Sequence, residues 1–197
     1  MNRKPAVRNE AFYRNKARAQ AENRRELYEW IQCFMTALII CVLLFVYGVR
    51  LVEVVGSSMN PTLYNGNKLV VSRLFYEPEV GDIVVFKTDS YDEDRALVKR
   101  VIATEGQVVN IDFDKGIVYI DGEVFQEDYI SELTYNKIDF IGPQTVPENC
   151  VFVMGDNRNA SIDSRDSRIG MLDTRLIIGK AYYILYPFTS AGVIKSN

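Results

Sequence analysis

The feature that most constrains this chain is a run of 20 residues from Trp30 to Val49, WIQCFMTALIICVLLFVYGV, with no charged side chain. As a helix it would measure roughly 30 Å, the hydrocarbon thickness of a bilayer. Core helices of globular proteins are rarely free of charge on every face over about five turns. A cleaved secretory signal has a shorter apolar region and a small-x-small site, whereas Arg50-Leu-Val-Glu-Val follows here. Residues 30–49 therefore read as an uncleaved transmembrane anchor. Before it stand Arg3, Lys4, Arg8, Arg14, Lys16, Arg18, Arg24 and Arg25 against Glu10, Glu22, Glu26 and Glu29. Basic flanks stay in the cytoplasm, so residues 1–29 read as a cytoplasmic basic tail and residues 50–197 as an extracytoplasmic domain. Ala11 to Trp30 lacks Gly and Pro and favours helix, which would continue the membrane helix inward. The best later candidate for a second span, Leu176 to Pro187, is short and interrupted by Lys180.

From Arg50 onward there are 15 Lys or Arg and 22 Asp or Glu, a net charge of −7, which disfavours nucleic acid as a partner. Cys33 and Cys41 lie in the apolar run and leave Cys150 alone outside, so the domain has no internal disulfide and rests on packing. Histidine is absent altogether. That excludes Ser-His-Asp and Cys-His mechanisms and the commonest transition-metal ligand. Catalysis would have to use Lys, Asp, Glu, Ser, Tyr or Arg, and no metal or other cofactor is expected.

After the anchor the texture changes to short apolar runs set off by turn residues: LVEVVG, KLVVSRLFY, DIVVFK, ALVKRVIA, QVVNIDF, GIVYIDGEVF, CVFVMGD and LIIGKAYYILY. This is an all-β pattern. Gly106 to Phe125 gives two strands around Asp114-Lys115-Gly116 and a hairpin turn at Asp121-Gly122. From Gln126 to Asn149 the periodicity weakens, and Gly142-Pro143 and Pro147 mark loops. The predicted fold is mainly β: an N-terminal transmembrane helix, then an all-β core carrying a smaller inserted β subdomain over residues 104–145.

Three segments carry possible chemistry. In Gly56-Ser57-Ser58-Met59-Asn60-Pro61-Thr62-Leu63, Pro61 fixes its own φ and biases Asn60 away from helix, which exposes Ser58 between a strand and a turn. Such a serine is either a nucleophile or one member of an ordinary loop. In Ala96-Leu-Val-Lys99-Arg100-Val-Ile-Ala103, alternation puts Leu97, Lys99 and Val101 on one face and Val98, Arg100 and Ile102 on the other. Lys99 is then either buried, with a lowered pKa and an available neutral amine, or solvent-facing on an edge strand. Met154 to Arg168 crowds Asp156, Arg158, Ser161, Asp163, Ser164, Arg165 and Asp166 behind a strand, as a hydrogen-bonded network or as a solvated loop.

Taken in order, GSSMNPTL, then Gly81-Asp82-Ile-Val-Val-Phe86, then VKRVIA, then GDNRNASIDSR resemble the sequence boxes of bacterial type I signal peptidases, behind the N-terminal anchor that family carries. The resemblance spans residues 27 to 187. It implies a membrane-bound serine endopeptidase with a Ser-Lys dyad that removes signal peptides from exported preproteins after small residues of the Ala-x-Ala type. Residue by residue, it implies Ser58 as nucleophile, Lys99 as general base, and Ser161 as the hydroxyl that hydrogen-bonds the lysine and orients it. Asp156, Arg158, Asp163 and Arg165 match the charged residues that brace the loop. The substrate is expected as an extended strand beside Leu51 to Val55 and beside Leu97 and Val98, with shallow pockets lined by Val54, Met59 and Val98. The expected partners are signal peptides, the lipid bilayer and the protein-export machinery.

The chain departs from the pattern in three places. Ala103-Thr104-Glu105-Gly106-Gln107 replaces the Gly-x-Pro-Gly-Asp that commonly follows the Lys-Arg pair. Gly56 stands where some relatives place an oxyanion-binding serine, which leaves the Ser58 backbone N–H as the expected donor. Asp-Ser-Arg occurs twice, at 163–165 and 166–168, and the spacing from Gly155 favours the first copy. The hydroxyl chemistry itself needs a neutral lysine, which at its ordinary pKa makes up only about 0.1% of molecules near neutral pH. Two other readings fit less well: a self-cleaving repressor-type Ser-Lys peptidase, which has no anchor, and an inactive membrane-anchored β module that binds extended peptides.

Overall fold

The computed structural model describes residues 6–88 and 96–195. Its first element is one helix, α1, Ala6–Gly48. Ala, Arg, Glu and Leu dominate its sequence, neither Pro nor Gly interrupts it before its last residue, and β-branched Val49 opens the first strand directly after it. From Ala6 onward the tail and the apolar run are therefore one helix. The run's last residue, Val49, already belongs to a strand, because Gly48 ends the helix. Arg24–Leu43, with a mean hydropathy of 1.5, is long and apolar enough to cross a membrane. Its large side chains are exposed around the helix, Trp30, Ile31, Phe34, Leu38 and Leu43 among them.

Residues from Gly48 onward form a second unit built on two antiparallel sheets. In chain order the strands are β1 (Val49–Glu53), β2 (Lys68–Ser72), β3 (Ile83–Phe86), β4 (Leu97–Thr104), β5 (Val108–Asp112), β6 (Ile117–Ile120), β7 (Glu123–Val124), β8 (Gln144–Thr145), β9 (Cys150–Met154), β10 (Leu172–Asp173), β11 (Ile177–Tyr186) and β12 (Gly192–Val193). The larger sheet runs β1-β2-β11-β3-β4-β9-β10, with β12 added to β11. The smaller sheet runs β7-β6-β5-β8 and lies within residues 104–145. The β6–β7 turn falls at Asp121-Gly122, both with positive φ, as a two-residue hairpin of this hand requires. Between β7 and β9 the chain forms only β8 and turns, yet it buries Thr134, Phe140 and Val146.

Position in the sheet decides what each strand buries. β3 is buried at all four residues because β11 and β4 flank it, and β4 is buried from Val98 to Ala103 because β3 and β9 flank it. Val98 joins the cluster formed with Val54, Met59, Leu63 and Ile83, while Val101 joins Val84, Phe86 and Val153. Ile102, Phe152 and Met154 pack with Val109, Val118 and Phe140 of the inserted region, so a shared apolar cluster fixes the smaller sheet to the larger.

Among the described residues, two of the open backbone edges flank Ser58. β1 is a terminal strand of the larger sheet and pairs, among the described residues, only with β2. Leu97, Val98 and Lys99 pair with β3 alone among the described residues, since pairing of β4 to β9 begins at Arg100.

Candidate active site

Ser58 follows β1 in a turn whose first residue, Gly56, has φ +92° and donates its N–H to Asn65 Oδ1 at 2.8 Å. The left-handed backbone there suits glycine and turns the chain out of the strand. Lys99 is the third residue of β4 and is 2% exposed. Its Nζ lies 2.8 Å from Ser58 Oγ and 3.0 Å from the Val98 carbonyl oxygen. The amine has left water and gained two neutral neighbours. Burial pushes its pKa from the ordinary lysine value down to about 8, with Asp163 and Asp156 opposing the shift and Arg165 assisting it. With that pKa about a tenth of the molecules carry the neutral amine at pH 7.

The alternative of a solvent-facing lysine does not hold, because Lys99 is buried even though β4 pairs there with β3 alone among the described residues. Arg100 is buried as well, at 1% exposure. Its guanidinium makes a bidentate pair with Asp156, Nε to Oδ1 at 2.9 Å and Nη2 to Oδ2 at 2.8 Å, and gives a third bond to the Gly81 carbonyl at 2.8 Å. Thr62, four residues beyond Ser58, donates its hydroxyl to the same Asp156 carboxylate. Asp156 therefore ties the strand of the lysine to the turn of the serine.

The rest of the loop grips the serine from behind. Asn157 donates its N–H to the Ser58 carbonyl at 3.0 Å and its Nδ2 to the Ser57 carbonyl at 3.1 Å. A Cβ on Gly155 would overlap Ser161 Oγ and the Ser58 carbonyl oxygen, so only glycine permits this approach. Asp163 accepts the Gly155 N–H at 3.0 Å and makes a wholly buried bidentate pair with Arg165. Burial works against the Asp163 carboxylate, but the Arg165 bonds and charge and the Gly155 amide outweigh it and hold the group below the usual carboxylate range. Arg165 also donates to the carbonyls of Asn136 and Arg158. The first Asp-Ser-Arg copy is thus the buried one; in the second, the Arg168 side chain is 54% exposed beside Asp166.

Arg158 points into the inserted region. Its guanidinium pairs with both Glu127 oxygens, with Thr134 Oγ1 at 3.0 Å and with Tyr129 OH at 3.3 Å. The Tyr129 ring lies under Arg100, 3.9 Å from guanidinium carbon to ring centroid, a cation–π contact. Sequence reading missed Thr62, Glu127, Tyr129, Thr134 and Asn157. For Asn157 a signal existed, since it stands between Asp156 and Arg158 in a matched box. Glu127 and Tyr129 lie about 30 residues from their partner in a stretch without periodicity, which offers no local sign of pairing.

The expected bond from Ser161 to the lysine is not formed. Ser161 Oγ is buried without a hydrogen-bond partner of ordinary geometry, although it faces the Asp163 carboxylate closely enough to favour its ionised form. Val98 O holds the amine in its place. Val54, Met59 and Val98 are brought together, but in one core cluster and almost fully buried. The surface beside the dyad is a cleft of about 520 Å³ whose walls are Glu53, Val55, Gly56, Ser57, Ala96, Leu97, Ala160 and Ile162, with Ser58 and Lys99 at its base. The Ser58 N–H donates to no acceptor among the described residues, and the two open strand edges adjoin this cleft. A hydroxyl against a neutral amine, a free amide beside it and unpaired edges on either side can attack, stabilise and align a peptide carbonyl. Among the described residues no group of three or more His, Cys, Asp or Glu is placed to hold a metal ion.

Comparison with known proteins matches residues 27–186 to the family model described as "Signal peptidase, peptidase S26". The chain is 39% identical over 178 residues to the "Probable signal peptidase I-1" of Synechocystis, covering 85% of this chain and 87% of the relative. It is 34% identical over 177 residues to the signal peptidase I of Bacillus licheniformis, covering 84% and 91%. A solved signal peptidase I from Enterococcus faecalis shares 28% identity over 53% of this chain and 97% of its own, with a TM-score of 0.42.

Proposed function

This chain belongs to the signal peptidase family of peptidase S26 and is a serine endopeptidase of the signal peptidase I type; from that premise we propose that it removes signal peptides from exported preproteins with Ser58 as nucleophile and Lys99 as general base. The observation that carries the assignment is the 2.8 Å separation of Lys99 Nζ from Ser58 Oγ, with the amine buried. In this reading Ser58 passes its proton to the neutral Lys99 amine as Oγ attacks the scissile carbonyl carbon. The oxyanion takes the Ser58 N–H. Collapse breaks the peptide C–N bond, and the Lys99 ammonium returns the proton to the leaving amine. Water then attacks the acyl ester, again losing its proton to Lys99, and Ser58 is restored.

The substrate lies as an added strand between the free edge of β1 and the start of β4. Small, apolar walls at Ala96 and Ala160 favour small side chains near the cut and so an Ala-x-Ala sequence. The apolar part of α1 anchors the chain in the membrane, with the basic tail in the cytoplasm and the peptidase outside. Co-expression with a secreted precursor tests the dyad. Wild type is expected to yield the mature protein, while Ser58→Ala and Lys99→Ala each lower processing about 10³-fold or more. Normal processing by either variant would overturn the assignment.

A further inference from the structure

The cleft carries a charge that the hydrolytic steps do not use. Glu53 lies on β1 five residues before Ser58, and together with Val55 it lines the cleft. Strand alternation explains this: Val52 and Val54 turn to the core, so Glu53 and Val55 share the other face. Glu53 is exposed, and its carboxylate has no hydrogen-bond or ion-pair partner among the described residues. Lys68 stands opposite it in the β1–β2 register, but its ammonium lies over the Tyr186 ring instead, 5.8 Å from the centroid. The other titratable residue lining the cleft is Lys99, which is buried with its Nζ committed to Ser58 Oγ and the Val98 carbonyl. A peptide bound there meets an uncommitted negative charge.

We propose that Glu53 is a specificity-determining residue that makes the enzyme favour a basic over an acidic side chain upstream of the cut. This rests on the reading of the cleft as a signal-peptide site. A substrate strand that runs toward Ser58 beside β1 places its upstream residues along Glu53 and Val55. If its two small residues turn to the protein, alternation sends the x of Ala-x-Ala, and the residue just before that triplet, to the other face. An exposed charge pair or charge repulsion at such a rim is worth a few-fold in rate and is weakened by salt.

The test uses the full chain in detergent and peptides that carry Lys, Gln or Glu at each of those two positions, with the ratio of kcat/KM for Lys over Glu as the readout. Wild type should show a ratio of about five at one position in low salt, falling toward one at about 0.5 M NaCl. Glu53→Gln should abolish the preference and Glu53→Lys should invert it. The Gln peptides test the underlying reading separately: if wild type leaves them uncut, that reading fails. If they are cut but the ratio is one at both positions, or survives in Glu53→Gln, the assignment to Glu53 is overturned. Should the Glu53 variants not fold, Lys68→Gln decides, since removing the neighbouring cation must raise the ratio; an unchanged or lower ratio overturns the proposal.

Discussion

The cleft and the loop behind it treat polar groups in opposite ways. In the loop every buried charge is met more than once: Arg100 by Asp156 and Gly81, Arg158 by Glu127, Thr134, Tyr129 and Gly155, Arg165 by Asp163, Asn136 and Arg158. In the cleft the Ser58 amide and the Glu53 carboxylate have no partner among the described residues, and Ser58 Oγ meets only the lysine. Reacting groups must stay free to bond a transition state, which costs folding energy, and a saturated network around them holds their geometry. Substitutions in the two regions should therefore move stability in opposite directions.

The largest effect is expected in the loop. Asp163→Ala leaves the wholly buried Arg165 guanidinium uncompensated, and removing one member of such a pair costs about 3–5 kcal/mol. Urea unfolding checks this, and a loss under about 1 kcal/mol would mean that the network does not brace the fold. The Asp163 carboxylate is held below its unfolded range, so its contribution is present above the unfolded pKa and is lost as pH falls through the folded one.

The next effect has the opposite sign. Lys99 has a folded pKa of about 8 against an ordinary 10.5, so the unfolded chain binds more protons between those values. Its contribution to stability is then least favourable below pH 8 and rises with pH until about 10.5. The lysine costs about 3 kcal/mol at pH 7 by this linkage. Lys99→Met should abolish cleavage yet raise the thermal midpoint at pH 6–7, with the gain disappearing above about pH 10.5. In wild type, kcat/KM for a neutral peptide should rise with pH through about 8. A rate already flat from pH 6 would detach Lys99 from proton transfer.

The same contrast explains what sequence could and could not tell. Local features were legible because their causes are local: the uncharged run ends where Gly48 meets Val49, and the Asp121-Gly122 turn follows from its two residues. Ser58 and Lys99 were legible as members of ordered boxes. Alternation alone could not decide which of Lys99 and Arg100 is buried, and the answer is both, because β3, the turn of Ser58 and, from Arg100 on, β9 close around them from distant parts of the chain. The partners of Arg158 were invisible for the same reason. Glu127 and Tyr129 sit in a segment that looked like plain loop, and only tertiary pairing gives them a role.

Ser161 is where the two regions meet, and it sharpens the contrast most finely. It lies in the loop sequence, yet its buried hydroxyl, beside Gly155 and the Ser58 carbonyl, faces the Asp163 carboxylate without a hydrogen bond of ordinary geometry. A hydroxyl without a well-formed hydrogen bond contributes little, so Ser161→Ala should change stability by less than about 1 kcal/mol. If the hydroxyl turns to the lysine amine once substrate is bound, the same variant should lower kcat about tenfold or more with little change in KM. A thermal midpoint and a steady-state assay on one preparation separate the cases. Lost stability would make Ser161 part of the brace, whereas unchanged stability with a lowered kcat would place it with the dyad that Val98 O holds in the free enzyme.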